Sequence, residues 1–157
     1  MQLFPIRGGI HPDYRKELAS EKAIVALPLP AALYIPLQQH IGAPAEVLVN
    51  EGDHVKKGQM IARSQGAVSA PQHAPTSGRI QAITQIAAPH PSGLAQTTIV
   101  IEPDGKDEWA DLPEPIAAPL NADPQLIRDR VAQSGIVGMG GAAFPSAVKL
   151  DLGTRYK

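Results

Sequence analysis

The first part of the chain alternates short apolar runs with turn-forming residues. From residue 23 onward, runs rich in Ile, Val, Leu and Thr are separated by Gly, Pro, Asn or Asp. Short runs bounded in this way are typical of the strands of an all-β sandwich or barrel. The predicted strands are Ala23–Leu27, Leu33–Leu37, Ala45–Asn50, Gln59–Arg63, Gly78–Ile86 and Thr97–Glu102.

A helical pattern replaces the strand pattern near the C-terminal end. Asp123-Pro124 is a strong helix start, because the Asp side chain accepts from free N–H groups of the first turn and Pro fits the first helical position. Apolar residues then recur at helical spacing until Ser134-Gly135, which provides the stop. A Gly-rich segment follows, and a second helix is expected to begin near Pro145.

These changes of pattern divide the chain into four predicted segments. Residues 1–22 are an N-terminal arm, 23–111 a β domain, 112–122 a Pro-rich linker, and 123–157 the start of a second domain. The last segment is too short to contain the sheet against which a Gly-rich loop and its helix usually pack. We therefore expect the second domain to be truncated.

Composition excludes several classes of function. Lys and Arg total 14 against 15 Asp and Glu, so electrostatics gives no reason to expect binding to nucleic acid or to an anionic membrane. Cys is absent, which excludes disulfides, thiolate metal ligands and iron–sulfur ligation by these residues. No apolar run approaches the roughly 20 residues that span a bilayer. The sequence alone thus predicts a soluble, intracellular chain without direct membrane insertion.

Two strand–turn–strand motifs characterise the predicted β domain. The first passes from Gly52-Asp53 to Gly58, and the second leads from His73 into a turn that ends at Gly78. Gly52 and Gly78 are expected to supply a positive φ, where bulkier residues are strained. Over residues 40–102 this pattern resembles biotinyl and lipoyl domains, whose flattened β-sandwich is called the barrel-sandwich hybrid.

The attachment chemistry of such carrier domains is not expected here. Carrier domains present a Lys at a hairpin tip between the two motifs, and the cofactor is attached to that Lys. In this chain the corresponding stretch is Ser64–Gln72, and no Lys occurs between Lys57 and Lys106. The resemblance without the Lys implies a docking or spacing role for the β domain, with no covalently bound biotin or lipoate.

The His residues leave two other kinds of site to consider. His73 would suit a phosphocarrier if a second His or a carboxylate oriented its imidazole, but we favour a simple hydrogen bond to a neighbouring turn. A zinc site would need ligands in paired or tight-loop spacing, which the other His residues do not show. Those residues are His11, His40, His54 and His90.

The Gly-rich segment is the candidate cofactor site. Successive Gly residues let backbone N–H groups approach a phosphate or a flat ring, and Lys149 would place an ammonium beside an anionic ligand. The spacing fits neither a Walker A loop nor the Rossmann fingerprint. It resembles the flavin loop of the FMN- and NADH-binding subunit of respiratory complex I. This resemblance implies that Gly138, Gly140 and Gly141 contact FMN and that Lys149 reaches its phosphate. Ala143 stands where a third Gly is usual, so a methyl group would lie against the cofactor.

Five separated blocks, in the same order along the chain, resemble the RnfC family of the Rnf ion-translocating electron-transport complex. They are Gly8–Pro12, Pro36–Gly42, Gly52–Gln59, His73–Gly78, and Gly135–Pro145 with the following Lys149. The resemblance implies a mainly β chain, in which a barrel-sandwich hybrid precedes the helix–Gly-loop–helix start of a truncated α/β flavin-binding domain.

The same resemblance implies the function. The chain is expected to be the N-terminal part of an electron-transfer subunit in a membrane-associated, ion-translocating oxidoreductase complex. FMN would bind partly here, whereas NADH and two [4Fe–4S] clusters would belong to a C-terminal part that this sequence lacks. The partners would be other subunits of the complex, which would hold the protein at the cytoplasmic face of the bacterial inner membrane. Alone, the fragment is expected to be inactive. The alternative is a non-catalytic docking module that binds no flavin.

Overall fold

Most of the regular structure is antiparallel β-sheet. The computed structural model of the chain describes Gly8 and residues 12–151. The strands are β1 Leu33–Pro36, β2 Glu46–Val47, β3 His54–Val55, β4 Met60–Arg63, β5 Gln72–His73, β6 Gly78–Ala87 and β7 Ala95–Pro103. The helices are α1 Glu17–Ser20, α2 Pro124–Gln133 and α3 Ser146–Leu150, with a 3₁₀ turn at Pro119–Asn121.

The strands form two sheets. One has four strands in the order β1-β7-β6-β3, and the other has three strands in the order β2-β4-β5. Each pairing between these seven strands is antiparallel, and the longest ladder joins β6 to β7 from Gly78↔Pro103 to Ala87↔Ala95. This architecture confirms the prediction of a mainly β chain.

Buried aliphatic side chains from both sheets form one core. Ile61 of β4 faces Ile80, Ile99 and Ile101 of the larger sheet, and each of the four is at most 1% exposed. Burying one such side chain contributes roughly 1.5–3 kcal/mol. A bulge in β6 lets Ile80 and Ile83 both join the core, although their spacing of three breaks strand alternation.

The two Gly residues of the β motifs have different roles. Gly52 has φ +93° in the turn before β3, as predicted. The neighbouring Asp53 accepts a hydrogen bond from the Asn50 N–H at 2.8 Å, which confirms it as a turn former. Gly78, in contrast, does not adopt a positive φ, so that prediction was wrong. It must be Gly because a Cβ there would collide with the backbone carbonyl of Glu102 on β7.

Most of the predicted strands are confirmed, with β1, β2 and β4 shorter than predicted and β6 and β7 longer. The exception is Ala23–Leu27, which is wrong: this stretch forms no strand, and Ile24 and Val25 are largely exposed. An apolar run becomes a strand only where another strand supplies hydrogen-bond partners, and none of the described strands pairs with this one. The short strands β3 and β5 were not predicted.

Two carboxylates in the segment after β7 accept hydrogen bonds from residues that precede β4 and β6. Asp107 accepts hydrogen bonds from Lys57 at 2.6 Å and Thr76 at 3.0 Å, and these two donors lower its pKa. The pKa of Asp104 is lowered by the backbone N–H of Lys106 and by the Ser77 hydroxyl. These contacts hold the segment after β7 against the turn before β6.

The helical part begins and ends as predicted. The Asp123 side chain accepts from the Gln125 N–H at 2.9 Å at the start of α2, and Gly135 has φ +67° just beyond its end. Helix α2 packs against α3, and Arg128 pairs with Asp151 at 2.6 Å.

In the arm, residues 12–22 are exposed around α1. Most of the Gly8–Pro12 block lies outside the described residues.

Candidate functional site

The Gly-rich loop is a closed structure between α2 and α3. At its base, Val137 and Pro145 form an antiparallel bridge, and the Ser146 N–H donates to the Ile136 carbonyl at 2.9 Å. One step further in, the Gly138 N–H donates to the Phe144 carbonyl, also at 2.9 Å. These bonds hold residues 139–143 in a defined tip that projects from the helices.

The tip leaves open space beside two glycines. A Cβ at Gly140 or at Gly141 would meet no atom within 4 Å. Within the described part of the chain, neither N–H group donates to an acceptor. Two exposed N–H groups with free space in front of them can bind an anionic oxygen or lie under a flat ring.

Lys149 reaches across the loop from α3. A Cβ at Gly138 would lie 2.5 Å from the Lys149 ammonium nitrogen, so the ammonium occupies the space that a side chain there would fill. The same nitrogen lies 5.8 Å from the centre of the Phe144 ring, within cation–π range. Among the described residues, no carboxylate pairs with Lys149. Its charge is therefore available to an anionic ligand.

Ala143 has an unusual backbone conformation. Its φ is +41°, in the left-handed region that costs a residue with a Cβ about 1–2 kcal/mol. The Ala143 N–H closes the tip by donating to the Gly140 carbonyl at 2.9 Å. This conformation gives a physical reason why a Gly would suit the position.

The β domain contacts the loop directly. The Ile41 N–H, just after β1, donates to the Ala142 carbonyl at 2.9 Å. A second contact lies at the end of α2, where a Cβ at Gly135 would come within 2.7 Å of the Pro71 carbonyl beside β5. The sheet region therefore fixes where the tip of the Gly-rich loop lies.

An open cleft of about 750 Å³ lies where the loop meets the β domain. Its walls come from three segments: residues 36–41 from the end of β1 onward, residues 88–96 from the end of β6 into the start of β7, and residues 141–143 of the loop tip. Gly138 and Lys149 do not line it. The predicted site residues thus fall into two groups, with Gly141 at the cleft and Lys149 beside Gly138.

Residues 64–72 correspond to the stretch that bears the modified Lys in carrier domains, and hydrogen bonds hold them against the segment after β1. The Ala43 N–H donates to the Val68 carbonyl at 3.0 Å, and a Cβ at Gly42 would collide with the same carbonyl. Two residues on, the Ala70 N–H donates to the ring of the buried His40. Residues 68–70 therefore hold residues 40–43 in place, and Ile41 within that segment contacts the Gly-rich loop.

The described His residues have different surroundings, although His40 and His90 both line the cleft. His73 lies beside Gly135 and the end of α2, where burial lowers its pKa and a hydrogen bond with the Gln133 backbone raises it to a smaller extent. It thus contacts a neighbouring backbone, in agreement with the simple interpretation, although that backbone belongs to a helix. His11 lies outside the described residues, and within residues 12–151 no three His, Cys, Asp or Glu side chains are grouped to hold a metal ion.

Sequence reasoning missed His40 and Ile41 as residues that support the site. Both occur in the block 36–42, but only the fold brings them to Ala70 and Ala142. The buried His40, at 6% exposure, could have been noticed only as a polar residue inside an apolar region.

Together, these features define a class of protein: a barrel-sandwich hybrid β domain followed by a Gly-rich loop between two helices. A family model described as the RnfC barrel sandwich hybrid domain matches residues 4–106. The chain belongs to the RnfC family.

Three relatives are each named as the C subunit of an ion-translocating oxidoreductase complex. The chain is 55% identical over 157 residues to the one from Rhodobacter capsulatus, covering 99% of this chain and 30% of the relative. It is 41% identical over 150 residues to the one from Haemophilus influenzae strain PittEE, covering 96% and 23%. For Pasteurella multocida the values are 41% over 149 residues, covering 95% and 18%. The chain spans less than a third of the length of these relatives.

None of the helices in residues 12–151 has the length and apolar content that a membrane crossing needs.

Proposed function

We propose that this chain is the N-terminal part of an electron-transfer subunit in an ion-translocating oxidoreductase complex, and that its Gly-rich loop binds the phosphate of FMN. The relatives' shared name supports the first statement. The second is carried by one observation. The unpaired ammonium of Lys149, on α3, lies directly beside Gly138 of the Gly-rich loop, and the same loop has two free N–H groups.

The residues present fit the phosphate end of a flavin nucleotide. A phosphate needs positive charge and N–H donors, which Lys149 and the N–H groups of Gly140 and Gly141 supply. Gly138 is needed because any side chain there would displace the ammonium. When bound, FMN would supply the capacity to accept a hydride and release single electrons. The chain's own residues would hold and orient it.

The other parts of the electron path lie outside these residues. With no Cys in the chain, iron–sulfur clusters must be ligated elsewhere in the longer protein. We place NADH binding and two [4Fe–4S] clusters in a C-terminal part of that protein. It would lie at the cytoplasmic face of the bacterial inner membrane, held there by the other subunits of the complex. The 157-residue chain alone would have no oxidoreductase activity.

A titration of FMN with the protein tests the phosphate site. FMN fluorescence should be quenched by the wild-type chain, and Lys149→Ala should weaken binding by roughly tenfold, as expected for loss of one charge-assisted hydrogen bond. Lys106→Ala is the matched control, because this exposed Lys lies after β7 and outside the loop. Equal affinities for the two variants would refute the phosphate site.

The second candidate function is a docking module that binds no flavin. The exposed apolar stretch before β1 favours it, since Ile24, Val25 and Leu27 are 78–103% exposed. Large apolar side chains grouped on a surface usually mark an interaction site. Absence of FMN binding at millimolar concentration would leave only this role for the chain.

A further inference from the structure

We propose that the exposed side chains of Trp109 and Leu112, here called the Trp109 patch, dock a Lys- and Arg-rich cytoplasmic loop of a membrane-spanning subunit. This rests on the proposed function, which places the chain at the cytoplasmic face of an ion-translocating complex. The patch follows β7 and shares no residue with the cleft or with the Gly-rich loop. It assigns the contact with the complex to one defined surface of the chain.

Trp109 and Leu112 lie side by side over the backbone of Gly58. A Cβ at Gly58 would lie 3.2 Å from Cζ3 of the Trp109 ring and 3.4 Å from Cδ2 of Leu112, so both side chains cover the same point. Each nevertheless remains more than half exposed, at 56% and 57%. Adjacent large apolar side chains that stay exposed mark an interaction surface, whereas scattered ones do not.

Backbone hydrogen bonds hold Trp109 in one position. The Lys57 N–H donates to the Glu108 carbonyl at 2.8 Å, and the Ala110 N–H donates to the Lys57 carbonyl at 2.9 Å, so the two bonds enclose Trp109. The Lys57 ammonium also lies 4.7 Å from the centre of the ring. An anchor that is already ordered loses little conformational entropy on binding, which favours affinity.

The indole of Trp109 offers a polar contact as well as apolar area. Its Nε1–H donates to no acceptor in the described part of the chain. A Trp N–H that becomes buried usually finds a hydrogen-bond partner, and Trp is enriched among the residues that dominate binding energy. A partner that covers this ring must therefore supply an acceptor, such as the backbone carbonyl of a loop.

The charge around the patch favours a basic partner. Residues 102–114 contain six Asp or Glu and one Lys, whereas the whole chain has a net charge of -1. The nearby Lys57 pairs with Asp107 at 2.6 Å, so it offsets only one of these carboxylates. Asp111 has no ion-pair partner among the described residues. A negative rim around an apolar centre steers and orients a positively charged surface.

The chemistry of the partner follows from the location of the complex. Moving ions requires subunits that cross the membrane, and the cytoplasmic loops of such proteins carry an excess of Lys and Arg. Anionic lipid headgroups on the same face would repel the carboxylates around Trp109. A basic protein loop therefore fits the patch, whereas the lipid surface does not.

Inner-membrane vesicles with the cytoplasmic face outward test the proposal. Vesicles from cells that make the other subunits of the complex should bind the 157-residue chain in a sedimentation assay, and vesicles from cells without them should not. Trp109→Ala should weaken this binding at least roughly tenfold, as expected for a central anchor. Tyr34→Ala is the matched control, because Tyr34 is 59% exposed but lies on β1 outside the patch.

A charge variant keeps the test valid if Trp109→Ala disturbs packing on Gly58. Asp111→Lys removes no contact among the described residues and should weaken binding roughly three- to tenfold at low salt. The difference should shrink at about 1 M salt, where the Debye length is about 3 Å. Asp13→Lys makes the same change of charge at an exposed residue of the arm and should leave binding unchanged.

The outcomes separate this proposal from the proposed function. Binding that neither Trp109→Ala nor Asp111→Lys weakens would refute the patch, while membership of the complex stands. Equal binding to both kinds of vesicle would assign the contact to lipid and overturn the proposal. Protection of Trp109 from hydroxyl radicals in the isolated full-length subunit would also overturn it, because the rest of the polypeptide would then cover the patch. No binding to either vesicle would refute both the patch and the place in the complex, and the FMN titration decides the phosphate site independently.

Discussion

The buried imidazole of His40 accepts a hydrogen bond from the Ala70 N–H at 3.0 Å, across thirty residues of sequence. Because Nε2 is the acceptor, the proton of the neutral ring lies on Nδ1, which donates to the Ile41 carbonyl at 3.0 Å. The adjacent Ile41 N–H holds the Ala142 carbonyl. One side chain thus connects the stretch that bears the modified Lys in carrier domains to the tip of the Gly-rich loop.

Removing this imidazole should destabilise the fold. His40→Ala leaves the buried Ala70 N–H without an acceptor and opens a cavity, so we expect a loss of about 2–3 kcal/mol in the free energy of unfolding. Urea denaturation measures it. His54→Ala removes an exposed imidazole of β3 and should change stability by less than about 0.5 kcal/mol. Similar losses for both variants would show that His40 does not connect these loops.

Stability should depend on pH through His73. Burial lowers its pKa below the ordinary value of about 6.5, so the unfolded chain binds this proton more readily than the folded one. Stability is then fully present above about pH 6.5 and falls as the pH drops from there toward the folded pKa. Urea midpoints measured from about pH 8 to about pH 5 should show this decline.

Substitution identifies the source of that decline. His73→Gln should flatten the dependence between about pH 6.5 and 5, whereas His90→Gln, at an exposed position, should preserve it. A slope that persists in His73→Gln would assign the effect to another group.

Gly78 is required because a Cβ would be crowded by β7 and not because its φ is positive, and these two causes can be tested separately. Gly78→Ala should cost roughly 2–3 kcal/mol, because the added Cβ forces β6 away from the Glu102 carbonyl of β7. Gly140→Ala is a suitable comparison, since that position has neither a positive φ nor a crowding atom, and should cost less than about 0.5 kcal/mol. Equal thermal midpoints for the two variants would contradict the close approach.

A single substitution should relieve the strain in the Gly-rich loop. Ala143→Gly removes the Cβ that opposes φ +41° and should stabilise the chain by roughly 0.5–1 kcal/mol, although Gly gains entropy in the unfolded state. Ala142→Gly has only the entropic effect and should destabilise by about 0.4–1 kcal/mol. Denaturation that gives the same sign for both would exclude a strained Ala143.

Local signals predicted much of the fold. Strands such as β7 are recognised by their runs of Thr, Ile and Val, and α2 by its Asp123-Pro124 cap. Strands β3 and β5 have only two residues each, too few for an alternation to be recognised. Ala23–Leu27 shows the opposite problem, because its composition suits a strand but no strand in the described part of the chain pairs with it.

The candidate site was less predictable than the fold. The proximity of Lys149 to Gly138 follows from local spacing, since both belong to one loop–helix unit. The β-domain wall of the cleft does not, because residues 36–41 and 141–143 are about a hundred positions apart in the chain. Pairing at that separation depends on the tertiary fold, which sequence periodicity does not report.

The most direct test of the phosphate site follows the backbone amides of Gly140 and Gly141 by ¹H–¹⁵N NMR while FMN is added. The two resonances should shift as the free N–H groups meet the phosphate, and in Lys149→Ala the shifts should require roughly tenfold more FMN. Unshifted Gly140 and Gly141 resonances at an FMN concentration that quenches flavin fluorescence would show that the Gly-rich loop does not hold the phosphate.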